Sequence, residues 1–371
     1  MPAGPVPPED QLRLGSALRA RYPAELVAAA LAQHELRLAA RGKFSRAREM
    51  FFTRPGLEQA SAEAVSQHRA RRYEDSARVA DLCCGIGGDL VALAASHPVV
   101  AVDRDPLALR IARANAGVYR VAANVTARLA DVRDADLAGV DAVFVDPARR
   151  TGQRRLAAGA SEPPLAWCTG LEQRVGRVGI KAAPGLPRDA VPAGWELEFV
   201  AVGRDLKEAV AWSPALATAS SRATLLPGGD TLTPAAGEPV PVRDPGEFLL
   251  DPNPAVTRAG LVAELARLTG CWQIDSKIAF LSAARRVTTP FARTLRVIDS
   301  APWHERQLPA RLRALGAGAV DIRRRGLAGD VDRLHRRLRL SGTRRVTLVM
   351  TRAAGRPWAL VCVELNETGS G

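Results

Sequence analysis

Four acidic residues stand where predicted strands end, and a glycine-rich turn follows the first of those strands. The turn lies in the run VADLCCGIGGDLVALAASHPVVAVDRDP, residues 79–106, between an apolar stretch and a helical pattern. The acids are Asp81 beside the turn, Asp103 after the second strand, Asp131 after VTARLA and Asp146 after DAVFV. One such acid is ordinary, because helix caps also use Asp. Ligands of open parallel sheets bind beyond the carboxyl ends of the strands, so we expect the four acids to share one site.

The spacing of the glycine turn and Asp103 indicates a cofactor that carries a nucleoside. Asp103 lies 18 residues past Gly85, which allows it to meet a ribose at the end of the next strand. A dinucleotide fingerprint needs a third small residue for close helix packing, but Leu90 stands there, which argues against nicotinamide and flavin. S-adenosylmethionine is the alternative, since it carries an ammonium and a sulfonium, and residues 79–98 contain acids but no Lys or Arg. A glycine turn alone also fits a simple tight turn.

Each strand end has an expected role toward this cofactor. Asp103 is expected to hold the ribose hydroxyls, Asp131 to accept from the adenine amino group, and the amides of residues 85–88 to meet the methionine carboxylate. The residues expected to form the cofactor site are Asp81, Cys83, Gly85, Gly87, Asp103, Arg104 and Asp131.

The fourth strand end, DAVFVDPARR, is the expected catalytic position. Pro147 fixes its own φ and keeps Asp146 out of helical geometry, so the carboxylate and carbonyl of Asp146 stay at the mouth of the cleft. Methyl transfer from a sulfonium is an in-line displacement that needs a desolvated and aligned acceptor. An exocyclic base amine can donate its hydrogens to Asp146 and nearby carbonyls while its lone pair faces the methyl group. A loop that merely begins with Asp-Pro is the structural alternative.

Several motifs surround these positions and repeat a known family pattern. They are Asp81-x-Cys83-Cys84-Gly85-Ile86-Gly87-Gly88, Val102-Asp103-x-Asp105-Pro106, Ala112-x-x-Asn115-Ala116-x-Val118-Tyr119-x-Val121 and Asp146-Pro147. Together they resemble the methyltransferase domain of the trimethylguanosine synthase group of class I S-adenosylmethionine-dependent enzymes. The tail, with DIRRRG at residues 321–326 and Asp330-Val331-Asp332-x-Leu334, is similar to the THUMP-like domain of bacterial members. The resemblance implies methylation of an RNA base, with the C-terminal module holding the RNA.

One departure from the family pattern concerns the residues after Asp146-Pro147. Amino-group methylases of this kind usually have a second proline and an aromatic that stacks on the flipped base, but Ala148 and Arg149 stand here. Arg149 can stack its guanidinium on a base or bind a phosphate. A pyrimidine-carbon methylase would need a cysteine nucleophile near this loop, and Cys168 is the only remote candidate.

Basic charge is concentrated in the last quarter of the chain. The whole sequence has 371 residues and a formal net charge of +13, and residues 285–352 hold 17 arginines against five acids. Such a module suits a polyanion, since phosphate contacts supply sequence-independent affinity. An ordinary solvated basic face is the alternative. The residues expected to contact nucleic acid are Arg149, Arg150, Arg323, Arg324 and Arg325.

Other features limit the class of protein. The five cysteines are scattered and lack metal spacing, so neither a metal site nor a disulfide framework is expected. No stretch has the length and hydrophobicity of a membrane span or a signal peptide, so we expect a cytoplasmic protein. Nothing in the sequence specifies an oligomeric state.

Alternating short apolar runs and helical segments predict an α/β fold with a Rossmann-like methyltransferase domain. The predicted strands are 78–83, 98–103, 125–130, 141–146, 177–182, 195–202 and 222–226, in a parallel sheet covered on both faces. The predicted divisions are a helical N-terminal region at 1–72, the methyltransferase domain at 73–235, a linker and helical connection at 236–290, and a basic THUMP-like α+β domain at 291–371.

The sequence thus predicts an S-adenosylmethionine-dependent methyltransferase that acts on a base nitrogen in structured RNA, either tRNA or rRNA. Two alternatives remain. A methyltransferase for a small molecule or a protein would keep its activity without residues 285–371 and would be indifferent to salt. A non-catalytic RNA-binding protein with a degenerate Rossmann domain would bind RNA without affinity for the cofactor.

Overall fold

The structure is a computed structural model that describes residues 8–148, 150–151, 154–155 and 161–365. The chain forms two compact units. The first comprises Met1–Leu197 and Glu208–Thr218, and the second comprises Glu198–Lys207 and Ala219–Gly371. In the described part of the chain, every helix is too short or too polar to cross a membrane.

Helices and strands alternate along most of the chain. The helices are α1 (Pro8–Arg19), α2 (Ala24–Ala40), α3 (Arg54–Gln59), α4 (Glu63–Ala70), α5 (Leu90–Leu93), α6 (Pro106–Val118), α7 (Leu165–Gly170), α8 (Glu172–Val175), α9 (Pro254–Ala259), α10 (Val262–Thr269), α11 (Leu308–Ala314) and α12 (Val331–Arg337). The strands are β1 (Val79–Leu82), β2 (Val99–Asp103), β3 (Val125–Leu129), β4 (Ala142–Val145), β5 (Arg150–Thr151), β6 (Arg154–Arg155), β7 (Arg177–Ala182), β8 (Glu196–Val202), β9 (Asp205–Trp212), β10 (Ser221–Leu226), β11 (Asp230–Leu232), β12 (Phe248–Pro252), β13 (Trp272–Gln273), β14 (Leu281–Ala283), β15 (Ala292–Pro302), β16 (Ala317–Arg324), β17 (Arg344–Ala353) and β18 (Arg356–Glu364).

The N-terminal region is helical, as its sequence pattern predicts. Pro23 stands at the N-cap of α2 and separates it from α1. The Thr53 hydroxyl accepts from the amide of Gly56 and caps α3, which has a proline in its first turn. Ile86 of the glycine turn shares a buried apolar cluster with residues of this region, namely Leu36, Ala40, Phe44, Ala47, Met50, Phe52 and Leu57. The helical region therefore packs directly against the candidate cofactor turn.

The first unit is built on strands in the order β9-β7-β4-β1-β2-β3. β1 lies between β2 and β4 and is parallel to both. All four of its residues are buried, as expected for a parallel strand that is covered on both faces, and Asp81 is the one charged residue among them. The parallel register brings the carboxyl ends of β1, β2 and β4 to one edge of the sheet. That edge carries the glycine turn, Asp103 and Asp146.

β9 was not among the predicted strands, and it breaks the predicted parallel arrangement. It pairs with β7 in antiparallel register, with Trp212 opposite Gly179. Only Gly203 and Arg204 separate β9 from β8, which is far too short for the crossover that a parallel strand requires. A Cβ on Gly179 would lie 2.6 Å from the Trp212 ring, so the glycine makes room for the indole.

The second unit contains a seven-stranded sheet in the order β13-β14-β12-β15-β18-β17-β16. β16 and β17 are parallel, and the other neighbours are antiparallel. Residues 292–364 follow the order strand, helix, strand, helix, strand, strand, which confirms the α+β class predicted for the C-terminal domain. Two apolar clusters hold this sheet, and α11 and α12 contribute Leu308, Leu312 and Leu334 to one of them.

The segment 236–290, predicted as a linker with one helix, instead supplies three strands to this sheet. β12 pairs with both β14 and β15, so the segment and the tail share hydrogen bonds and a core. The helical part of this segment is divided into α9 and α10, because Gly260 adopts a φ of 74° and ends α9. The three strands are short and lie among glycines and prolines, so their sequence shows little alternation of apolar and polar residues. The sequence pattern therefore did not predict them.

Candidate active site

A cavity of about 360 Å³ opens at the carboxyl edge of the first unit's sheet. Seven of the residues predicted for the cofactor and catalytic sites line it: Cys83, Gly85, Asp103, Arg104, Asp131, Asp146 and Pro147. Gly87 and Asp81 lie next to these residues in the chain but are not in the lining. Arg149 lies outside the described residues. Arg150 begins β5, which is described only as backbone.

The glycine turn combines two glycines with different structural roles. Gly85 has a φ of 54°, and a Cβ placed on it would meet no atom within 4 Å, so its bare Cα leaves space in the cavity. Gly87 has a φ of 84°, and a Cβ there would lie 3.1 Å from Cα of Ala112 in α6. Gly85 therefore keeps ligand space open, whereas Gly87 allows close packing of the turn on a helix.

Asp103 connects the turn to the end of β2. Its Oδ2 accepts from the amide of Gly85 at 2.8 Å, and its Oδ1 accepts from the amide of Asp105 at 2.9 Å. A carboxylate has lone pairs for further hydrogen bonds, so a ribose can still share these oxygens. The amides of Gly85 and Gly87 donate to Asp103 and to the Cys84 carbonyl. Those of Ile86 and Gly88 stay the candidates for the methionine carboxylate.

Asp131 lies at the predicted adenine end and is held by Arg133. The amide of Arg133 donates to Asp131 Oδ1 at 2.9 Å, and the guanidinium lies 3.3 Å from Oδ2. The same guanidinium also pairs with Glu162. Arg133 and Glu162 line the cavity but were not predicted as site residues. Because these ion pairs are partly exposed, their net contribution to stability is small and they can rearrange around a ligand.

A lysine on the neighbouring strand β7 fixes the position of the Asp146 carboxylate. Lys181 of β7 places its Nζ 2.7 Å from Asp146 Oδ2, and the same Nζ donates to the Gln59 carbonyl at 3.1 Å. The Lys181 side chain is 5% exposed, whereas that of Asp146 is 26% exposed and reaches the cavity. Within the described residues, Asp146 Oδ1 accepts no hydrogen bond. The ion pair therefore fixes Oδ2 of Asp146 and leaves Oδ1 able to accept a hydrogen bond from a molecule in the cavity.

Asp81 is buried beside this arrangement rather than exposed in the cavity. Both of its carboxylate oxygens are buried and lack a hydrogen-bond partner among the described residues. Burial raises the pKa of Asp81 to about 8, and the negative charge of Asp146 adds to the rise. The carboxyl group is therefore largely protonated at neutral pH.

A buried ion network lies close to the same strands. Arg69 of α4 is 2% exposed, pairs with Asp89 and Glu208, and lies over the Phe144 ring at 4.5 Å. Burial raises the pKa of Glu208, but the charges of Arg69 and Lys181 and the hydrogen bonds of Arg69 and Ser61 outweigh it and lower the pKa overall. Removal of one member would leave an uncompensated buried charge, so the network holds α4, the glycine turn and β9 in fixed positions.

The cysteines near the cavity are poor nucleophiles. Cys168 is fully buried, and burial raises the pKa of its thiol to about 12. Cys83 lines the cavity, but burial and the charges of Asp103 and Asp146 raise the pKa of its thiol well above the ordinary value. A thiolate is needed for attack on a pyrimidine carbon, and neither residue supplies one at neutral pH.

Comparison with known proteins identifies the class of enzyme. Residues 76–158 match the family model of RNA cap guanine-N2 methyltransferases, and residues 292–364 match a THUMP domain-like model. Residues 2–40 match a domain of unknown function. The chain is therefore a class I methyltransferase with a THUMP-like domain and a Rossmann-like fold.

Whole-chain relatives support the same identification. Two Mycobacterium tuberculosis proteins, from strains CDC 1551 and H37Rv, are each described as an uncharacterized S-adenosylmethionine-dependent methyltransferase. Each is 37% identical over 317 residues, which span 82% of this chain and 85% of the relative. The crystal structure of a Porphyromonas gingivalis W83 protein has a similar fold, with a TM-score of 0.77, 19% identity, and 98% of this chain and 100% of that chain covered. The chain belongs to the S-adenosylmethionine-dependent methyltransferases.

The residues present fit S-adenosylmethionine. The cavity has room over Gly85, and acidic residues line it, including Glu58, Asp89, Asp103, Asp131 and Asp146. These carboxyl groups suit the ammonium and sulfonium of the cofactor. When bound, the cofactor supplies an electrophilic methyl group on a sulfonium.

Proposed function

We propose that this enzyme methylates a base nitrogen in structured RNA, with tRNA or rRNA as the substrate. The observation that carries the chemical part is Asp146, whose Oδ2 is fixed by Lys181 while its Oδ1 remains available at the cofactor cavity. An exocyclic amine donates one hydrogen to this oxygen. Its lone pair is then oriented toward the methyl group, which is the alignment that an in-line displacement requires.

Pro147 has a positioning role in the proposed reaction. It follows Asp146 directly, and the next residue, Ala148, exchanges two backbone hydrogen bonds of 2.8 Å with Glu162. The short loop between β4 and this bridge is therefore held at both ends. This arrangement supports a fixed direction for the Asp146 carboxylate and for the adjacent carbonyl, which is the second acceptor for the amine.

The cofactor residues are proposed from the same cavity. Asp103 holds the ribose hydroxyls, Asp131 accepts from the adenine amino group, and Gly85 leaves space for the bound molecule. The proposed set also includes Asp81, Cys83, Gly87 and Arg104. Of these, Asp81 and Gly87 do not line the cavity and support the residues that do.

The RNA part of the proposal has two supports. The family model that matches residues 76–158 describes enzymes that methylate guanine N2, an exocyclic amine. The arginine-rich tail matches a THUMP domain-like model, and its charge suits a phosphate backbone. Because Ala148 and Arg149 follow Pro147 in place of a second proline and an aromatic, the proposal specifies a base nitrogen rather than guanine N2.

The test is methyl transfer from labelled S-adenosylmethionine to total cellular RNA, followed by nuclease digestion and mass spectrometry of the nucleosides. Asp146→Asn should lower the rate of transfer at least 100-fold, because the amide presents a different donor and acceptor pattern to the amine. Its affinity for the cofactor should change less than threefold. The matched control is Asp136→Asn, at an exposed aspartate of the same unit, and it should leave the rate unchanged. No methylated nucleoside from any RNA fraction would contradict the proposal.

A further inference from the structure

The second unit holds a group of arginines around one buried carboxylate. Asp251 of β12 is 4% exposed, and it lies directly opposite Arg293 in the pairing of β12 with β15. Arg325 Nη2 lies 3.2 Å from Asp251 Oδ1, and Arg204 Nη2 lies 2.9 Å from Asp251 Oδ2. One carboxylate therefore holds two guanidinium groups and faces a third arginine across the strands.

Further contacts fix the positions of Arg325 and of the turn that carries Arg204. Arg325 also donates to the Ala279 carbonyl at 2.8 Å and lies over the Phe280 ring at 4.7 Å. The turn between β8 and β9 is fixed by Asn253, whose side-chain amide donates to the Gly203 carbonyl at 2.8 Å. These contacts hold the arginines in place, and their ordering does not need a bound ligand.

Two arginines of the group keep donors that the protein does not use. Arg293 pairs through Nη1 with Glu364 at 2.9 Å, but its Nε and Nη2 are buried and have no hydrogen-bond partner in the described chain. Buried donors without a partner are rare and indicate a ligand or a strained site. Arg323 of β16 is exposed, and within the described residues no hydrogen bond or ion pair involves its side chain.

Positive charge is in excess at this location. Three arginines, Arg204, Arg293 and Arg325, pair with the two carboxylates of Asp251 and Glu364. On β16, Arg323 and Asp321 add one charge of each sign nearby, so one positive charge stays in excess. Burial lowers the pKa of Arg204, the negative charge of Asp251 opposes this, and the positive charges of Arg293, Arg323 and Arg325 lower the pKa further. A bound anion would relieve this repulsion and would accept from the exposed guanidinium of Arg323.

We propose that Arg204, Arg293 and Arg323 bind a phosphate of the RNA backbone. Asp251 and Arg325 support this site from within the second unit. This inference rests on the proposed RNA substrate and adds a defined contact to it. Guanidinium groups donate several hydrogen bonds to phosphate oxygens and read no base sequence. In the run Arg323–Arg325, Arg324 donates to the Gly329 carbonyl and Arg325 to Asp251, which assigns the phosphate contact to Arg323.

The experiment measures binding of fluorescently labelled, unfractionated tRNA to the full chain by anisotropy, without cofactor, over a series of salt concentrations. Arg323→Gln and Arg293→Gln should each weaken binding about 3- to 10-fold, and the slope of log affinity against log salt should fall by about one. The matched controls are Arg296→Gln, at an exposed residue of the same strand as Arg293, and Arg344→Gln on β17. Both controls should stay within twofold of the wild type.

Arg323→Lys is a second variant that keeps the charge and should retain the salt slope. Equal losses in Arg323→Gln and Arg296→Gln would overturn the proposal, because net charge alone would then explain binding. Stabilisation of the wild type by inorganic phosphate at fixed ionic strength, with tRNA affinity unchanged in Arg323→Gln, would assign the site to free phosphate and overturn the RNA contact. Arg323-dependent binding without methyl transfer to any RNA would reject the proposed reaction and keep this site.

Discussion

The carboxyl group of Asp81 combines complete burial with two unpartnered oxygens. Neutral carboxyl groups tolerate such an environment far better than carboxylates, because ionisation there has no hydrogen bond to offset the loss of hydration. Asp146, Asp103 and Arg69 act on Asp81 through their charges, and the first two favour the protonated form. The protein therefore keeps an acid beside the cofactor turn whose charge depends on pH.

The free energy of unfolding of the cofactor-free protein should depend on pH through the proton bound to Asp81. The pKa of Asp81 is about 8 in the folded chain, against about 3.9 in an unfolded one, so the folded state binds the proton more strongly. The resulting stabilisation is complete below pH 4 and is lost as the pH rises to about 8. Asp81→Asn should lack this dependence.

The measurement is urea unfolding of wild type and Asp81→Asn between pH 5 and 9. Relative to the variant, the wild type should lose free energy of unfolding, on the order of a few kcal/mol, as the pH rises. Other carboxyl groups titrate alike in both proteins and cancel in the difference. A difference that stays constant across this range would show that Asp81 is ionised throughout.

The candidate site was partly predictable because strand ends are local features of a sequence. Asp103, Asp131 and Asp146 each directly follow or end an apolar run, and the parallel sheet brings them to one cavity. Lys181 is 35 residues from Asp146, so the register of β4 with β7 was needed to pair them. The pairing of Arg133 with Glu162 likewise depends on the tertiary structure.

At the scale of elements, the two glycines of the turn serve different purposes. Gly85 leaves room for a ligand in the cavity, and Gly87 allows the turn to pack closely on α6. Gly85 and Gly87 both have positive φ, so an alanine at either position costs about 1 kcal/mol or more in backbone strain. Their surroundings differ, since only Gly87 faces another backbone, that of Ala112. The same substitution should therefore have different effects at the two positions.

Gly85→Ala should lower the affinity for S-adenosylmethionine at least tenfold and lower stability by only about 1 kcal/mol, because its methyl group enters the cavity. Gly87→Ala should destabilise the protein by about 2 to 4 kcal/mol, because overpacking against α6 adds to the strain. Titration calorimetry with the cofactor and thermal unfolding measure the two quantities. If Gly85→Ala binds the cofactor as the wild type does, the space over this residue is not part of the cofactor site.

Elements with strong periodicity were predicted well, and short strands among turn residues were not. The parallel strands β1, β2 and β4 and the whole tail from β15 to β18 follow continuous or alternating apolar runs. β12 and β14 have only five and three residues, and their pairing with β15 completes a sheet whose other half is distant in sequence. Tertiary pairing, rather than local propensity, decides such segments.

At the scale of the whole molecule, this sheet determines which experiments can separate the functions. Removal of residues 285–371 would leave β12, β13 and β14 without the strands that complete their sheet. Leu249, Ile274 and Phe280 would lose their packing against Leu295 and Leu360. Loss of activity in such a fragment would therefore reflect exposure of a hydrophobic core, and point substitutions are the better test.

Salt dependence distinguishes an RNA substrate from a small molecule or a protein without cutting the chain. The net charge of +13 and the arginine group of the second unit suit a polyanion, and each neutralised phosphate adds about one to the salt slope. We expect kcat/KM for RNA to fall at least tenfold between 50 and 200 mM salt, since several phosphate contacts act together. The cofactor affinity, measured over the same range, should change less than twofold. A kcat/KM that is independent of salt would favour a substrate without a phosphate backbone and would leave the arginines as a solvated surface.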